Sequence, residues 1–280
     1  MTLRLPGRWD ELTSREFETL DAEATVAILP VGAIEQHGPH LPVVVDTCLN
    51  EAVLRRGLEL MPQGLPALVL PTMPVGKSNE HRDFPGTLTL SAETLGRVWY
   101  EIGASVRRAS LRKLLLFNSH GGQPQVMQIV ARELRVDHDM LAVAANWYSW
   151  GLPDGLFDAA EIRHGIHAGA IETSMMLAVR PDLVGHDATA DFVPVTVADD
   201  AEFPRLRALG AAGLGWLAQD LHAQGACGDA TQATAAKGQA VIEHAALRLA
   251  ELVQELVRFP LHRLRRLYRR RRDSTRTLRR

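Results

Sequence analysis

Four short apolar segments, separated by helical patterns and polar loops, constrain the fold of this chain most strongly. The segments are residues 26–31, 67–73, 113–117 and 141–145. Apolar residues with helical spacing occupy 47–60, 91–109 and 125–136, and later 170–179, 203–223 and 234–257. Strands that alternate with helices form a mainly parallel sheet with helices on both faces. The sequence therefore predicts an α/β fold.

Length and charge divide the 280 residues into a body and a tail. No internal repeat or low-complexity linker interrupts residues 1–262, so we expect a single domain there. Residues 263–280 carry ten arginines and one aspartate, whereas the whole chain has a net charge of -2. The body is therefore acidic and the tail strongly basic.

Cysteine content and hydropathy predict the compartment. The chain has only two cysteines, which argues against a disulfide framework and suits a reducing environment. The N-terminal residues contain no apolar signal core, and no apolar run is long enough to span a bilayer. We expect a cytoplasmic protein without a transmembrane segment.

Polar or aromatic side chains follow each of the four predicted strands. Because the carboxyl ends of parallel strands meet at one edge of a sheet, these side chains should lie close together. That convergence is a stronger signal of a site than any single cluster. The residues concerned are Glu35 and His37 after the first strand, Ser78, Glu80 and His81 after the second, Asn118 and His120 after the third, and Trp147 and Trp150 after the fourth.

Glu35 and His37 are the first candidate metal ligands. They lie two residues apart, so in extended backbone they project to the same side. Oxygen and nitrogen donors together suit zinc, iron or manganese. Asp46 would complete the set, although it also stands where it could cap the helix predicted at 47–60.

His167 and Glu172 form a second cluster, in the segment HGIHAGAIETS. Five residues on one helix would separate them by about 140°. To serve one site, His167 must therefore lie on a loop and Glu172 in the first turns of a helix. The alternative for Glu172 is a favourable charge near a helix N-terminus. His120 alone could be structural, but the glycines after it would let a ligand approach the backbone.

Five ordered motifs resemble the creatininase (creatinine amidohydrolase) family. The strings are VGAIEQHGPHLPVVVD, GKSNEHRDFPGT, FNSHGG, HAGAIETS and GACGDATQATAAKG. The resemblance implies a three-layer α/β/α sandwich that assembles as a homohexamer. It also implies an enzyme that hydrolyses a C–N bond of a cyclic or linear small-molecule amide, by a hydroxide that bridges two metal ions.

The resemblance further implies a role for each candidate residue. Glu35, His37, Asp46 and His120 match the family's metal ligands, with Asp46 as the bridge between two divalent ions. Zinc is the first expectation for both ions, with manganese or iron as alternatives.

The remaining matched positions concern catalysis and substrate. His167 matches the catalytic histidine of the family. Glu172 matches the acidic residue of the HAG-x-x-ETS motif and would be either a further ligand or a proton relay. Ser78 falls where creatininase contacts its substrate.

Two departures from the family pattern argue against creatinine itself as substrate. Creatininase has a Tyr-Glu pair directly after its metal-binding histidine, and that Glu is a ligand, whereas this chain has Gly121 and Gly122. A Trp-Asp pair before the catalytic histidine is replaced by Arg163 and His164. We expect Glu172 or water to fill the coordination left open at Gly122. Deformylases of formylamino-pyrimidines and the mycofactocin precursor peptidase are the alternatives within the family.

Three residues are candidates for substrate binding from their positions alone. Trp147 could stack on a planar substrate or pack in the interior, and Arg163 and His164 could bind an anionic group or remain unrelated to substrate. The basic tail could bind nucleic acid or an anionic membrane surface. It could equally be solvated or lie on an acidic neighbouring subunit. A non-enzymatic nucleic-acid-binding protein is therefore the rival functional class.

Overall fold

The computed structural model describes residues 5–265, and a five-stranded parallel sheet forms its centre. The strands are β1 (Gly7–Arg8), β2 (Val26–Val31), β3 (Ala67–Val69), β4 (Lys113–Asn118) and β5 (Leu141–Asn146). Their spatial order is β1-β3-β2-β4-β5. Most of the predicted basic tail, residues 266–280, lies outside the described residues.

Strand β2 is central because both of its faces are covered. All six of its residues are buried, and successive side chains point to opposite faces. Val26 and Ile28 face one hydrophobic core, whereas Ala27 and Leu29 face a second core on the other side of the sheet. A near-continuous apolar run is what a doubly covered parallel strand requires.

Helices form the outer two layers, so the predicted three-layer α/β/α sandwich is confirmed. α2, α6 and α9 pack together on one face of the sheet, and α3 packs against α4 on the other. In the described range the α-helices are α1 (Ser14–Phe17), α2 (Val45–Leu60), α3 (Ala92–Arg108), α4 (Pro124–His138), α5 (Ala159–His164), α6 (Ala170–Val179), α7 (Thr196–Glu202), α8 (Ala218–Leu221) and α9 (Ala235–Arg258).

Side-chain caps determine where the long helices begin. The Ser91 hydroxyl accepts the backbone N–H of Thr94 at 3.2 Å, at the start of α3. The Thr234 hydroxyl accepts the N–H of Lys237 at 3.3 Å, at the start of α9. Such caps satisfy N–H groups that have no partner within the helix. No helix among residues 5–265 has the length and apolar character needed to cross a membrane.

The prediction of a helix at 203–223 is wrong. Helix α7 ends at Glu202, and α8 is a single turn at Ala218–Leu221. Between them the chain contains Pro204 and reaches a φ of +116° at Gly210. Proline removes a helical hydrogen bond and glycine favours this backbone region, so together they override the apolar spacing.

Two smaller predictions also need correction. The strand expected at 67–73 ends at Val69, although Met73 still forms one isolated parallel bridge with Val31. Asp46 does not cap its helix: the capping position is Val44, which makes no side-chain cap, and Asp46 lies in the first turn. Its carboxylate is therefore free to point away from the helix.

The register of the sheet brings the ends of its strands to one level. Val31 of β2 is paired with Asn118 of β4, and Asn118 is paired with Asn146 of β5. The residues that follow these positions therefore leave the sheet side by side. We call this region the carboxyl edge.

Candidate metal centre

Glu35, His37, Asp46, His120 and Glu172 meet at the carboxyl edge. His120 Nδ1 lies 3.2 Å from Glu35 Oε1 and 3.5 Å from Asp46 Oδ2. His37 Nε2 lies 4.0 Å from Asp46 Oδ1 and 3.8 Å from Glu172 Oε2. Asp46 thus faces both histidines, one with each oxygen, and stands between two groups of donors.

Backbone contacts fix which nitrogen of each histidine faces the centre. Nδ1–H of His37 donates to the carbonyl of Glu35 at 3.0 Å, which leaves Nε2 as the free lone pair. Nε2–H of His120 donates to the carbonyl of Lys77 at 2.8 Å, so Nδ1 faces the carboxylates. These tautomers follow from the hydrogen-bond partners. A histidine that ligates a metal is typically oriented in this way through its other nitrogen.

The donor set fits divalent cations. Glu35 Oε2, His37 Nε2 and Asp46 Oδ2 are buried and have no hydrogen-bond partner. Buried polar atoms nearly always have a partner, so three such atoms in one place fit the coordination of a positive ion. His37, Asp46 and Glu172 form one group whose donor atoms lie within 4.8 Å of one another. Imidazole and carboxylate donors suit zinc, manganese and iron.

Burial and mutual charge shift the pKa values of these groups in opposite directions. Burial, then the Glu35 carboxylate, raises the pKa of Asp46 well above its usual range. Burial would lower the pKa of His120, but the charge of Glu35 raises it to about 10. Burial lowers the pKa of His37 to about 4. His37 is therefore neutral at pH 7 and ready to bind a cation, whereas His120 holds a proton that a cation must displace.

His167 lies beside the metal-ligand candidates. Its ring lies 4.2 Å from the His37 ring and 4.3 Å from the His81 ring, between centroids. Its Nε2–H donates to the Gln36 carbonyl at 2.7 Å, and Nδ1 lies 3.8 Å from Glu35 Oε1. Burial lowers the pKa of His167 to about 4, so the ring is neutral at pH 7.

The backbone between His167 and Glu172 makes the predicted loop-to-helix turn. Ala168 adopts a φ of +57°, and α6 begins at Ala170. The Glu172 carboxylate accepts the N–H of Ala168 at 2.6 Å and still reaches His37. Both interpretations of Glu172 therefore have a structural basis, as a charge at the helix start and as a member of the centre. Burial raises its pKa.

The residues expected to bind substrate lie in three different places. Ser78 is buried, with its hydroxyl 3.3 Å from His120 Nε2. Trp147 is buried and its indole N–H donates to Ser119 at 2.7 Å, which is the packing arrangement. Arg163 and His164 face a cavity and both contact the Asp200 carboxylate.

That cavity lies beside His81 and His167. Its volume is about 490 Å³, and its lining includes Ile166, next to His167, and Trp216. The Trp216 ring contacts the edge of His81, with centroids 6.3 Å apart. Most of the wall is apolar, contributed by residues 195–216, which we call the cavity segment.

Several residues at the centre were not assigned a role from the sequence. Glu80 Oε1 lies 3.6 Å from His120 Nε2, and Gln36 donates to His81 at 2.7 Å and to the Gly225 carbonyl at 2.8 Å. Glu80 and His81 stood in the polar loop after the second strand, so proximity in sequence to Ser78 was the available signal. Nothing in the spacing pointed to Gln36.

Several known proteins resemble this chain in sequence. The profile of the creatininase family, described as creatinine amidohydrolase, matches residues 10–253. A mycofactocin precursor peptide peptidase from Mycolicibacterium smegmatis is 34% identical over 232 residues, or 82% of this chain and 83% of the relative. A creatinine amidohydrolase from Pseudomonas putida is 32% identical over 266 residues, or 88% of this chain and 95% of the relative.

A solved structure extends the agreement to three dimensions. A creatininase in its Mn form superposes with a TM-score of 0.72 at 28% identity, covering 90% of this chain and 98% of the other. The family resemblance drawn from the five motifs is thereby confirmed. The chain belongs to the creatininase (creatinine amidohydrolase) family.

Proposed function

We propose that this creatininase-family hydrolase cleaves a C–N bond of an amide at a centre that holds two divalent ions. Glu35 and His120 would hold one ion, His37 and Glu172 the other, and Asp46 would bridge them. The observation that carries this proposal is the set of buried, unpartnered donor atoms at the carboxyl edge. Separate exposed positions for these side chains would have given no such set.

The protein's own residues would orient the amide and move protons. Bound ions would supply a nucleophilic water of lowered pKa and stabilise negative charge on the carbonyl oxygen. His167 is neutral and its Nε2–H is held by the Gln36 carbonyl, so its free Nδ1 would take a proton from the nucleophilic water and pass it to the departing nitrogen. Glu172, whose pKa burial raises, would relay a proton from water if it does not ligate.

The cavity favours a substrate with an apolar group beside the scissile amide. Phe203, Leu206 and Leu214 line it, and apolar walls bind apolar groups. Its volume of about 490 Å³ exceeds what a small cyclic amide such as creatinine would fill. The 34% identical relative is named as a peptide peptidase. We therefore propose a linear amide or a short peptide with an apolar side chain as the substrate class.

The finer properties of the enzyme form part of the same proposal. Zinc is the expected metal because its preferred donors are imidazole and carboxylate, and manganese is supported by the Mn form of the related creatininase. We also propose a homohexamer in the cytoplasm. Sedimentation equilibrium of the purified protein would test the hexamer.

Metal analysis followed by a hydrolysis screen tests the proposed function. Purified protein should contain up to two divalent ions per chain and hydrolyse at least one of a panel of lactams, formamides, ureido compounds and short peptides. Apolar peptides should be the best substrates. Protein that binds no divalent ion and hydrolyses none of these compounds would contradict the proposal.

A further inference from the structure

Gly122 leaves a space at the centre that the carboxylate of Glu80 occupies. A methyl group on Gly122 would overlap with Glu80 Oε1, and it would lie 2.6 Å from His120 Nε2 and 2.7 Å from the Lys77 carbonyl. Each of these approaches is too close for a carbon atom. Glu80 can therefore sit beside His120 only because position 122 has no side chain.

Three groups from residues 77–80 surround the Nε2 atom of His120. Around Nε2 lie the Lys77 carbonyl at 2.8 Å, the Ser78 hydroxyl at 3.3 Å and Glu80 Oε1 at 3.6 Å. The His120 side chain is 2% exposed and that of Glu80 is 13% exposed. A carboxylate so little exposed interacts strongly with a neighbouring N–H, because little water screens it.

The opposite nitrogen of His120 faces the metal-ligand candidates. Glu35 and Asp46 approach Nδ1, at 3.2 and 3.5 Å. Glu80 approaches Nε2 and so lies on the other side of the imidazole. This arrangement separates the groups that would share an ion with His120 from the group that acts on its N–H.

We propose that Glu80 is a positioning residue of the metal centre. Its negative charge holds the proton of His120 on Nε2, next to the Lys77 carbonyl, and so presents Nδ1 as the ligand atom. Gly122 is required because it makes room for Glu80. The inference rests on the proposed two-ion site, and a carboxylate that orients a ligating histidine typically strengthens metal binding about 10- to 100-fold.

Direct ligation by Glu80 is the competing arrangement. Glu35, Glu80 and His120 offer donor atoms within 4.8 Å of one another, as ligands of one ion would. Loss of a ligand removes an ion even at saturating metal, whereas loss of a positioning residue weakens binding without changing the number of sites. Stoichiometry therefore distinguishes the two roles.

The test compares Glu80→Gln, Gly122→Ala and the double variant with wild type, using zinc and a competing chelator. Glu133→Gln, an exposed carboxylate on α4, is the matched control. Glu80→Gln should retain two sites and bind one ion about 10- to 100-fold more weakly. Gly122→Ala should weaken binding at least as much, because its methyl group would displace Glu80 and also crowd His120 Nε2 and the Lys77 carbonyl. The double variant should bind no more weakly than Gly122→Ala, which already removes the Glu80 contact.

NMR of the imidazole groups reports the tautomer of His120, which would not change if Glu80 only stabilised the fold. The His120 ring of the zinc-bound wild type should show the Nε2–H form, and Glu80→Gln should weaken or broaden that signal while Glu133→Gln leaves it unchanged. Affinities of Glu80→Gln and Gly122→Ala within twofold of wild type would overturn the inference. Loss of one ion at saturating zinc in Glu80→Gln would also overturn it, in favour of ligation. A wild type that binds no zinc would instead overturn the proposed function.

Discussion

The carboxyl edge and the cavity segment lie side by side but are built in opposite ways. At the edge, the donors are buried and each histidine is fixed by a backbone carbonyl. In the cavity segment, Phe203, Leu206 and Leu214 are each about half exposed. The edge is suited to holding charge in one geometry, whereas the segment offers apolar surface to a ligand.

This difference suggests a division of labour. Glu35, His37 and His120 follow parallel strands whose register brings the strand ends together. Asp46 and Glu172 lie in the first turns of α2 and α6, which pack on the sheet, so the geometry of all five donors depends on the core of the protein. The cavity segment, in contrast, lies outside the sheet and consists of the short helix α7 and the loop that leads to α8. Variants of the edge should therefore change metal binding and chemistry, while variants of the segment should change only substrate affinity.

His120→Ala should have the largest effect. It removes the nitrogen that faces Glu35 and Asp46, so one ion and the activity should be lost together. We expect a decrease of about 10³-fold or more in kcat, since metal-dependent charge stabilisation contributes several kcal/mol. Elemental analysis and kcat of the purified variant are the measurements. Full metal content with full turnover would remove His120 from the centre.

His167→Ala should separate catalysis from metal binding. The proposed ligands do not include His167, whose ring packs against that of His37, so both ions should remain. The loss of a proton donor should lower kcat by about 10²- to 10⁴-fold. Metal content and kcat are measured on the same sample. A variant that loses an ion would show that His167 is a ligand instead.

Metal affinity should rise with pH. The pKa of His120 is about 10, so at neutral pH this ring holds a proton that a cation must displace. The pKa of His37 is about 4, and its neutral ring adds no dependence near neutrality. Between pH 6 and 8, affinity should increase by up to about tenfold per unit for each displaced proton. Chelator competition at several pH values measures this, and a flat profile would contradict the assigned protonation.

Leu214→Asp tests the role of the cavity segment, as the histidine variants test that of the carboxyl edge. It places a charge in the apolar wall, so KM for an apolar amide should rise about tenfold, while metal content stays unchanged. Leu247→Asp is the matched control, because Leu247 is 46% exposed and Leu214 is 45% exposed, but Leu247 lies on α9, outside the cavity. Equal KM changes in both variants would exclude a substrate role for this wall.

Removal of residues 266–280 should have the smallest effect. The donors of the centre all lie between residues 35 and 172, so metal content and kcat should equal those of the full chain. A nucleic-acid-binding tail predicts something different, namely salt-dependent binding to DNA or RNA that the deletion abolishes. Fluorescence anisotropy at two salt concentrations, together with metal analysis, separates these outcomes.

The sequence predicted the sheet better than the region after it. The apolar run at 26–31 and the alternation with helices suffice for the doubly covered parallel sheet, because burial of a strand on both faces requires such a run. The predicted helix at 203–223 failed, since spacing alone could not show that Pro204 and Gly210 break it. Strand β1 is only two residues long and carries no periodic signal.

The candidate site, like the fold, could be predicted only in part from the sequence. Glu35, His37 and His120 could be placed together because they follow parallel strands, whose ends must coincide. Glu80 was also expected at this edge, but its position against His120 was not, because it depends on a space beside Gly122 that exists only in three dimensions. The space that a glycine leaves for a distant side chain produces no pattern in the sequence.

Titration of the metal-free protein with zinc, in parallel for wild type and Asp46→Ala, tests the central claim most directly. Asp46 faces both His37 and His120, so a bridging role predicts two ions per chain in wild type and a severe loss of both in the variant. Isothermal titration calorimetry gives the number and affinity of sites. A wild type that binds no zinc, or an Asp46→Ala variant that binds two ions with unchanged affinity, would contradict the account.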